Sequence, residues 1–371
     1  MLGLATAFPG LASPSGHAHE MLFGFALAVV AGNQLGPRTP RAITLLLVLW
    51  LLARAAFVFF PHTPAAVGAN VAFPLLLAWH IAPRLFGSAK KWRNQALPAV
   101  LTAICASAVV FAFALEAYRA SWIVPLPAPR VLRIAVALFA LLLLFMGGRL
   151  IAPAVAGEFY RRGGNLAARV QPRVEGALIL VMGVATLAMM LDDADGARGS
   201  KLPAGVAGGL LVVAGLLAAI RLARWRPWRL RGRSDLLCLA AGYGWLALGL
   251  VLFGAAHGGL AMGARGETLA LHVITIGSLG TLTLNVMAMT WLLKSRRNAA
   301  ATRLPTFATL LLALATLLRV FVRYDADDTQ ALLLLAATCW SAAFCLLLLL
   351  LIATRPPLHA ASMPAMHARQ R

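Results

Sequence analysis

The sequence predicts an all-α fold, a polytopic transmembrane helical bundle of about 11 spans. Hydrophobic residues make up 61% of the 371 positions, charged residues only 12%, and the mean hydropathy is +0.83. A soluble domain carries roughly twice that charged fraction. Apolar stretches of about 18 residues or more recur along the chain, and each is long enough to cross a bilayer as a helix. We therefore expect one integral membrane domain over residues 1–371.

The length of the apolar runs, with proline and glycine at most junctions, predicts where each span begins and ends. The predicted spans are residues 17–36, 41–60, 66–86, 95–115, 131–156, 174–191, 202–222, 236–256, 267–293, 304–322 and 330–353. A segment of residues 1–16 precedes them, and residues 354–371 form a tail.

Positive charge predicts how the bundle is oriented. Lys and Arg total 33 against 12 Asp and Glu, and most of the basic residues stand in the odd-numbered loops. Cytoplasmic loops of membrane proteins keep such an excess. The N-terminus is therefore expected outside and the tail inside. Because the loops account for the net charge of +21, we expect no nucleic-acid partner.

Three histidines are candidate metal ligands. His17 and His19 lie at the start of the first apolar run, beside Glu20, and His272 lies near the start of the ninth. With the predicted orientation all three face the same side of the membrane. Imidazole is a common metal ligand, and ionisable side chains at a membrane boundary are usually functional. For any one of them alone, an imidazole hydrogen-bonded at a helix end is the simpler interpretation.

Helical geometry separates two of these histidines. At about 100° per residue, His19 is rotated by about 200° from His17, so one helix does not aim both at the same metal. Either the segment is unwound there or the two histidines serve different centres. His17 shares a stripe with Glu20, Gly24 and Ala28, near Gly32. The small residues Gly24, Ala28 and Gly32 recur every four positions, a series that favours close helix packing.

Arginines within the apolar runs form a second candidate set: Arg54, Arg149 and Arg319. A buried arginine needs an anion or carbonyl groups, and haem propionates are such anions. Snorkelling towards an interface explains Arg54 and Arg319 equally well.

The remaining residues carry no soluble catalytic motif. There is no Walker loop, GxGxxG, GxSxG or HExxH pattern, so whether the protein is an enzyme stays open. The four cysteines all lie inside apolar runs without a CxxC pair, and we expect them to pack as small apolar residues.

The motif that begins at His17, HAHEMLFGF, resembles the hallmark of the NnrS family. Three other segments are similar to that family and occur in its order: His272 to Thr283, Gly147-Gly148-Arg149, and Arg221 to Trp228 followed by Tyr243-Gly244-Trp245. The family usually has twelve spans, and the one that would precede the His17 motif is absent from the prediction. Two further departures are Asn33 to Pro37, where Pro-Asn-Trp-Thr-Gly is usual, and Met289 to Leu293, where an Arg and His-Thr-Gly-Arg are usual.

The resemblance implies a multi-pass protein of the bacterial cytoplasmic (inner) membrane that binds haem b and copper. It would take part in the response to nitric oxide and in protection from nitrosative stress. Its partners would be the lipid bilayer and nitric oxide or a related small molecule. His17, His19 and His272 would be metal ligands, and Glu20 would orient an imidazole. Arg54, Arg149 and Arg319 would pair with propionates. A secondary transporter or metal permease without haem is the alternative, and a noncatalytic scaffold is a third possibility.

Overall fold

The computed structural model describes residues 7–35, 40–88, 92–192, 202–259, 263–299, 302–322 and 329–354. Within these ranges the chain forms 11 long helical elements and no strand. The first, α1, joins Pro14–His19, Glu20–Ala26 and Leu27–Leu35, and the ninth, α9, joins Gly263–His272, Val273–Gly280 and Thr281–Lys294. The others are α2 Pro40–Phe59, α3 Pro64–Ser88, α4 Trp92–Arg119, α5 Ala128–Arg161, α6 Pro172–Leu191, α7 Leu202–Trp225, α8 Ser234–His257, α10 Leu304–Phe321 and α11 Thr329–Ala353. Three short 3-10 helices, Pro9–Leu11, Ala167–Arg169 and Pro227–Arg229, complete the helical structure described.

The predicted all-α membrane fold is confirmed. Ten of the described helices are long and apolar enough to cross a bilayer. The exception is α1, because its first turns carry the polar His17 motif. The predicted spans correspond one to one with the observed helices, and the largest difference is at the end of α5, which continues from the predicted residue 156 to Arg161. Residues 1–6 and the tail from 355 onward lie outside the described residues.

The start of α1 follows from local chemistry. Ser13 caps the helix, since its Oγ accepts a hydrogen bond from the backbone N–H of Gly16 at 3.0 Å. Pro14 occupies the first helical position, where the missing N–H has no partner to lose. This cap positions the histidines one turn into the helix.

Short connections make successive helices alternate in direction, so the bundle has two distinct ends. We call the end with His17, His257 and His272 the histidine end, and the opposite end, with Arg162 and Arg233, the arginine end. The second matches the predicted concentration of basic residues. Which side of the membrane each end faces stays a prediction.

At the arginine end one carboxylate joins three guanidinium groups. Glu158 accepts hydrogen bonds from Arg161 at 2.5 Å, from Arg162 at 2.8 Å and from Arg233. Arg162 also donates to the carbonyl oxygen of Arg229 at 3.3 Å. These contacts hold the loop between α7 and α8 against the end of α5.

The centre of the bundle is formed by α5, α8 and α9. The share of residues buried within the protein is 78% for the apolar window of α5, against 17% for that of α2. The apolar side chains left exposed on α2 suit contact with lipid. Of the four cysteines, Cys105, Cys238 and Cys339 are buried, Cys345 is exposed, and all are free.

Glycines let the helices of this centre approach closely. A Cβ on Gly208 of α7 would lie 2.6 Å from the carbonyl oxygen of Gly254 of α8, which is closer than real Cβ atoms come. In α5, a Cβ on Gly147 would overlap the Tyr243 ring, and one on Gly148 would overlap the Arg221 guanidinium. The pair Gly147-Gly148 therefore makes room for two side chains from α7 and α8.

Candidate metal site

Two of the predicted site residues are each followed directly by a π-helical segment. Glu20–Ala26 begins just after His19, and Val273–Gly280 begins just after His272. At the end of the first segment the backbone N–H of Leu27 donates to the carbonyl of Leu22, five residues back. π-helical turns are rare and occur frequently at functional sites. A π-helical turn is wider than an α-helical turn, so the residues that share a face differ from those predicted at 100° per residue.

His17, His272 and Arg319 form one cluster at the histidine end. They come from α1, α9 and α10, and each pair is close enough for a direct Coulombic interaction. His17 is exposed, and His272 and Arg319 are partly exposed. The cluster therefore combines two imidazoles and one cation at the protein surface.

The orientation of the His272 ring leaves one nitrogen free to bind a metal. Nδ1 lies 2.7 Å from the carbonyl oxygen of Thr268, one turn earlier in α9. A carbonyl only accepts, so Nδ1 carries the proton and Nε2 keeps its lone pair. A hydrogen bond of this kind fixes the tautomer of metal-ligating histidines.

His19 lies in a different environment from His17, as the 200° rotation between them predicts. Its buried ring stacks between Phe57, at 4.1 Å between centroids, and Phe111, at 5.3 Å. Its Nδ1 is 3.1 Å from Oε1 of Glu20. The structure therefore brings His17 and His272 together but not His19.

Arg54 has a carboxylate partner within the protein. It donates to Glu20 and to the side-chain oxygen of Asn70, whose amide nitrogen donates to the carbonyl of Ala66 at 2.8 Å. A Cβ on Gly24 would lie 2.7 Å from Nη1 of Arg54, so this glycine makes room for the ion pair. Arg54 therefore has an anion within the protein, and its pairing with a propionate stays a prediction.

Arg149 lies far from the histidines. It is exposed, donates to Oδ1 of Asn94 at 2.6 Å, and has its guanidinium 4.1 Å from the centroid of the Phe145 ring. In the same helix, Arg133 is at the histidine end, and Arg149 follows it by 16 residues. At 1.5 Å per residue the two are separated by about 24 Å along the helix.

A second polar cluster at the histidine end was not predicted from the sequence. His257 Nδ1 is 3.0 Å from Oε1 of Glu267, and Oε2 of Glu267 is 3.0 Å from Nη1 of Arg133. Oδ2 of Asp192 lies 3.8 Å from Nε2 of His257. The four residues come from four different helices or helix ends, so no sequence motif links them. The one available signal was a histidine at the end of one span and a glutamate at the start of the next.

Among the described residues, no three or more His, Cys, Asp or Glu side chains come together in a metal-binding group. Each candidate site therefore offers one protein ligand, as at His19, or two, as at His17 and His272. Each needs a further ligand from a bound group or from water.

The chain matches a known protein family. A family model described as "NnrS: NnrS protein" matches residues 1–354, which include all 11 helices. No curated protein and no solved structure matches the chain.

Proposed function

Because the chain belongs to the NnrS family, we propose that this multi-pass membrane protein binds haem b and copper and acts in the bacterial response to nitric oxide. The observation that carries the proposal is that His17, His272 and Arg319, which come from three separate helices, lie within Coulombic range of one another. The positive-inside rule would set this cluster at the outer face of the bacterial inner membrane.

The cluster fits the chemistry of haem. Haem iron takes axial imidazole ligands, and His272 keeps Nε2 free because Nδ1 is bonded to a backbone carbonyl. Among the described residues, no carboxylate forms an ion pair with Arg319, which would pair with a propionate. Arg54 already has Glu20 as its anion, and Arg149 has Asn94 as its acceptor.

His19 is the proposed ligand of the copper. Imidazole suits copper, and Glu20 holds Nδ1 of His19 so that Nε2 is left for the metal. The rings of Phe57 and Phe111 restrain this imidazole and exclude water from it.

The bound metals would supply a site for nitric oxide and the redox chemistry. The chain's own residues would hold and orient the two groups from opposite sides of α1. Arg319 would neutralise negative charge, and Glu20 would select the tautomer of His19.

The visible absorption spectrum of the purified protein, with iron and copper counts, tests the proposal. Protein from haem-replete cells should show a haem b spectrum. We expect His17→Ala and His272→Ala each to lose most of the haem, and His19→Ala to keep haem but lose copper. His80→Ala is the matched control, because His80 makes the same kind of Nδ1 contact, to the carbonyl of Leu76 at 2.8 Å, but lies in the half of α3 nearer the arginine end.

Two results would contradict the assignment. A colourless, metal-free wild-type protein would favour a transporter or scaffold. Full haem occupancy in both His17→Ala and His272→Ala would reject these histidines as ligands.

A further inference from the structure

His257 is held in one orientation by charged neighbours. Its side chain is 5% exposed, and Nδ1 contacts the Glu267 carboxylate at 3.0 Å. The other oxygen of that carboxylate accepts from Arg133 at 3.0 Å. Because the carboxylate accepts, Nδ1 carries a proton and Nε2 is directed away from Glu267.

The second ring nitrogen of His257, Nε2, lies near another carboxylate. Nε2 is buried and makes no hydrogen bond with any described residue. Oδ2 of Asp192 lies 3.8 Å from it, beyond hydrogen-bonding distance. Asp192 is itself buried, with its side chain 10% exposed. When the ring is neutral with its proton on Nδ1, Nε2 has a lone pair near a carboxylate oxygen, and a cation bound between the two atoms would satisfy both of them.

From this geometry we infer that His257 and Asp192 bind a divalent transition-metal ion at the histidine end, at a site separate from His17 and His272. Bonds of about 2.0–2.2 Å from a metal to nitrogen and to oxygen set the two ligand atoms about 3.4 Å apart at a tetrahedral angle. The observed 3.8 Å is within about 0.5 Å of that separation. Small rotations of the Asp192 side chain cover the difference.

The surroundings match those of known metal-binding histidines. A ligating imidazole usually donates its other N–H to a carboxylate, which fixes the ring and raises its basicity. Glu267 makes that contact with His257, and Arg133 holds Glu267 in turn. Glu267 would then hold one nitrogen of the imidazole while the other nitrogen binds the metal.

The donor atoms select the class of metal. One imidazole nitrogen and one carboxylate oxygen suit Cu²⁺ or Zn²⁺, whereas Ca²⁺ and Mg²⁺ prefer oxygen ligands alone. Two protein ligands leave positions for water, as in sites that are not purely structural. His257 is the last residue of α8, and Asp192 directly follows the last residue of α6.

This site goes beyond the proposed function and does not depend on haem. It is nevertheless linked to the haem cluster through one turn of α9. Glu267 contacts His257, and the carbonyl of the next residue, Thr268, accepts from His272. A metal at His257 would therefore hold the turn that orients His272.

Titration with Cu²⁺ tests the inference. Tag-free full-length protein in detergent, stripped with a chelator, is titrated and followed by electron paramagnetic resonance. We expect the wild-type protein to bind one equivalent of Cu²⁺ at His257, with a spectrum that shows coordination by a single imidazole nitrogen. The His257→Ala variant should lose this equivalent. Asp192→Asn should bind more weakly, and Glu267→Gln should lose about 10-fold to 100-fold in affinity. This signal should persist in His19→Ala and His80→Ala.

Two outcomes would overturn the inference. One is a wild-type protein that does not bind this equivalent of Cu²⁺, and the other is unchanged binding of it in both His257→Ala and Asp192→Asn. Asp192→Asn keeps the side-chain volume and so guards against misfolding of the alanine variant. If haem is absent but the His257-dependent equivalent is present, this inference stands and the proposed function fails.

Discussion

At the scale of single residues, the partner of each buried charge decides what that charge does. Arg54 and Arg319 look alike in sequence, since both stand inside apolar runs. In the structure Arg54 contacts Glu20, whereas Arg319 lies within Coulombic range of His17 and His272. The first is therefore a structural ion pair, and the second is the cation of the proposed haem site.

We predict that Glu20→Gln strongly destabilises the protein. The Arg54 side chain is 13% exposed, so removing the carboxylate leaves a buried guanidinium without its anion. Breaking a buried pair in this way costs about 3–5 kcal/mol. Thermal unfolding in detergent should show a clear loss, and the double variant Glu20→Gln with Arg54→Met should recover much of it.

Glu116→Gln is the matched control for that prediction. Glu116 pairs with Arg119 at 2.6 Å, but its side chain is 39% exposed. An exposed pair contributes about 0–1 kcal/mol. Equal losses of stability in Glu20→Gln and Glu116→Gln would show that burial of the Arg54 pair does not matter.

At the scale of helices, close approach depends on which glycines meet a neighbour. Of the small residues predicted on α1, Gly24 makes room for Arg54, whereas a Cβ on Gly32 would meet no described atom within 4 Å. In α9, a Cβ on Gly277 would lie 3.0 Å from Trp245, while one on Gly280 would meet only ordinary contacts. A close contact between helices thus needs a small residue, but a small residue in the sequence does not show that such a contact is made there.

We predict that Gly208→Ala destabilises the contact between α7 and α8. The added Cβ would lie 2.6 Å from the carbonyl of Gly254, so the backbones must separate. Overpacking of this kind costs about 1–3 kcal/mol. Thermal unfolding of the purified variant would measure the loss.

The neighbouring Gly209→Ala is the control. A Cβ there meets nothing within 4 Å among the described residues, and alanine favours a helix over glycine by about 1 kcal/mol. Stability should be unchanged or higher. If the two variants behave alike, steric contact between α7 and α8 is not the cause.

At the scale of the whole molecule, the two ends of the bundle have different chemistry. Clustered arginines with one central carboxylate, Glu158, form one end. Histidines, including His17 and His257, lie at the other. Such an asymmetry gives a membrane protein a defined orientation, because positively charged loops stay in the cytoplasm.

We predict that the histidine end faces outward. Cysteines introduced at two exposed loop positions, His62→Cys and Asn165→Cys, lie at opposite ends of the bundle. In intact cells, a membrane-impermeant maleimide should label His62→Cys but label Asn165→Cys only after permeabilisation. The parent protein, with its four cysteines in apolar helices, is the background control. The reverse labelling pattern would overturn the orientation.

The candidate site was predictable only in part. His17 and His272 stand out in sequence because imidazoles at the edge of apolar runs are uncommon, and the structure brings them together. The cluster around His257 was missed because Arg133, Asp192 and Glu267 come from other helices. The π-helical segments were missed as well, since the 3.6-residue period that guides prediction does not hold within them.

The sequence by itself determined the all-α class, the limits of the helices and the separation of basic residues to one end. These are local properties, since a bilayer requires about 20 apolar residues per span with every backbone hydrogen bond made within the helix. Only the tertiary structure decided that Arg54 pairs with Glu20, that His17 meets His272, and that His257 faces Asp192. Those contacts depend on how helices rotate and cross, which is set by packing between residues remote in the chain.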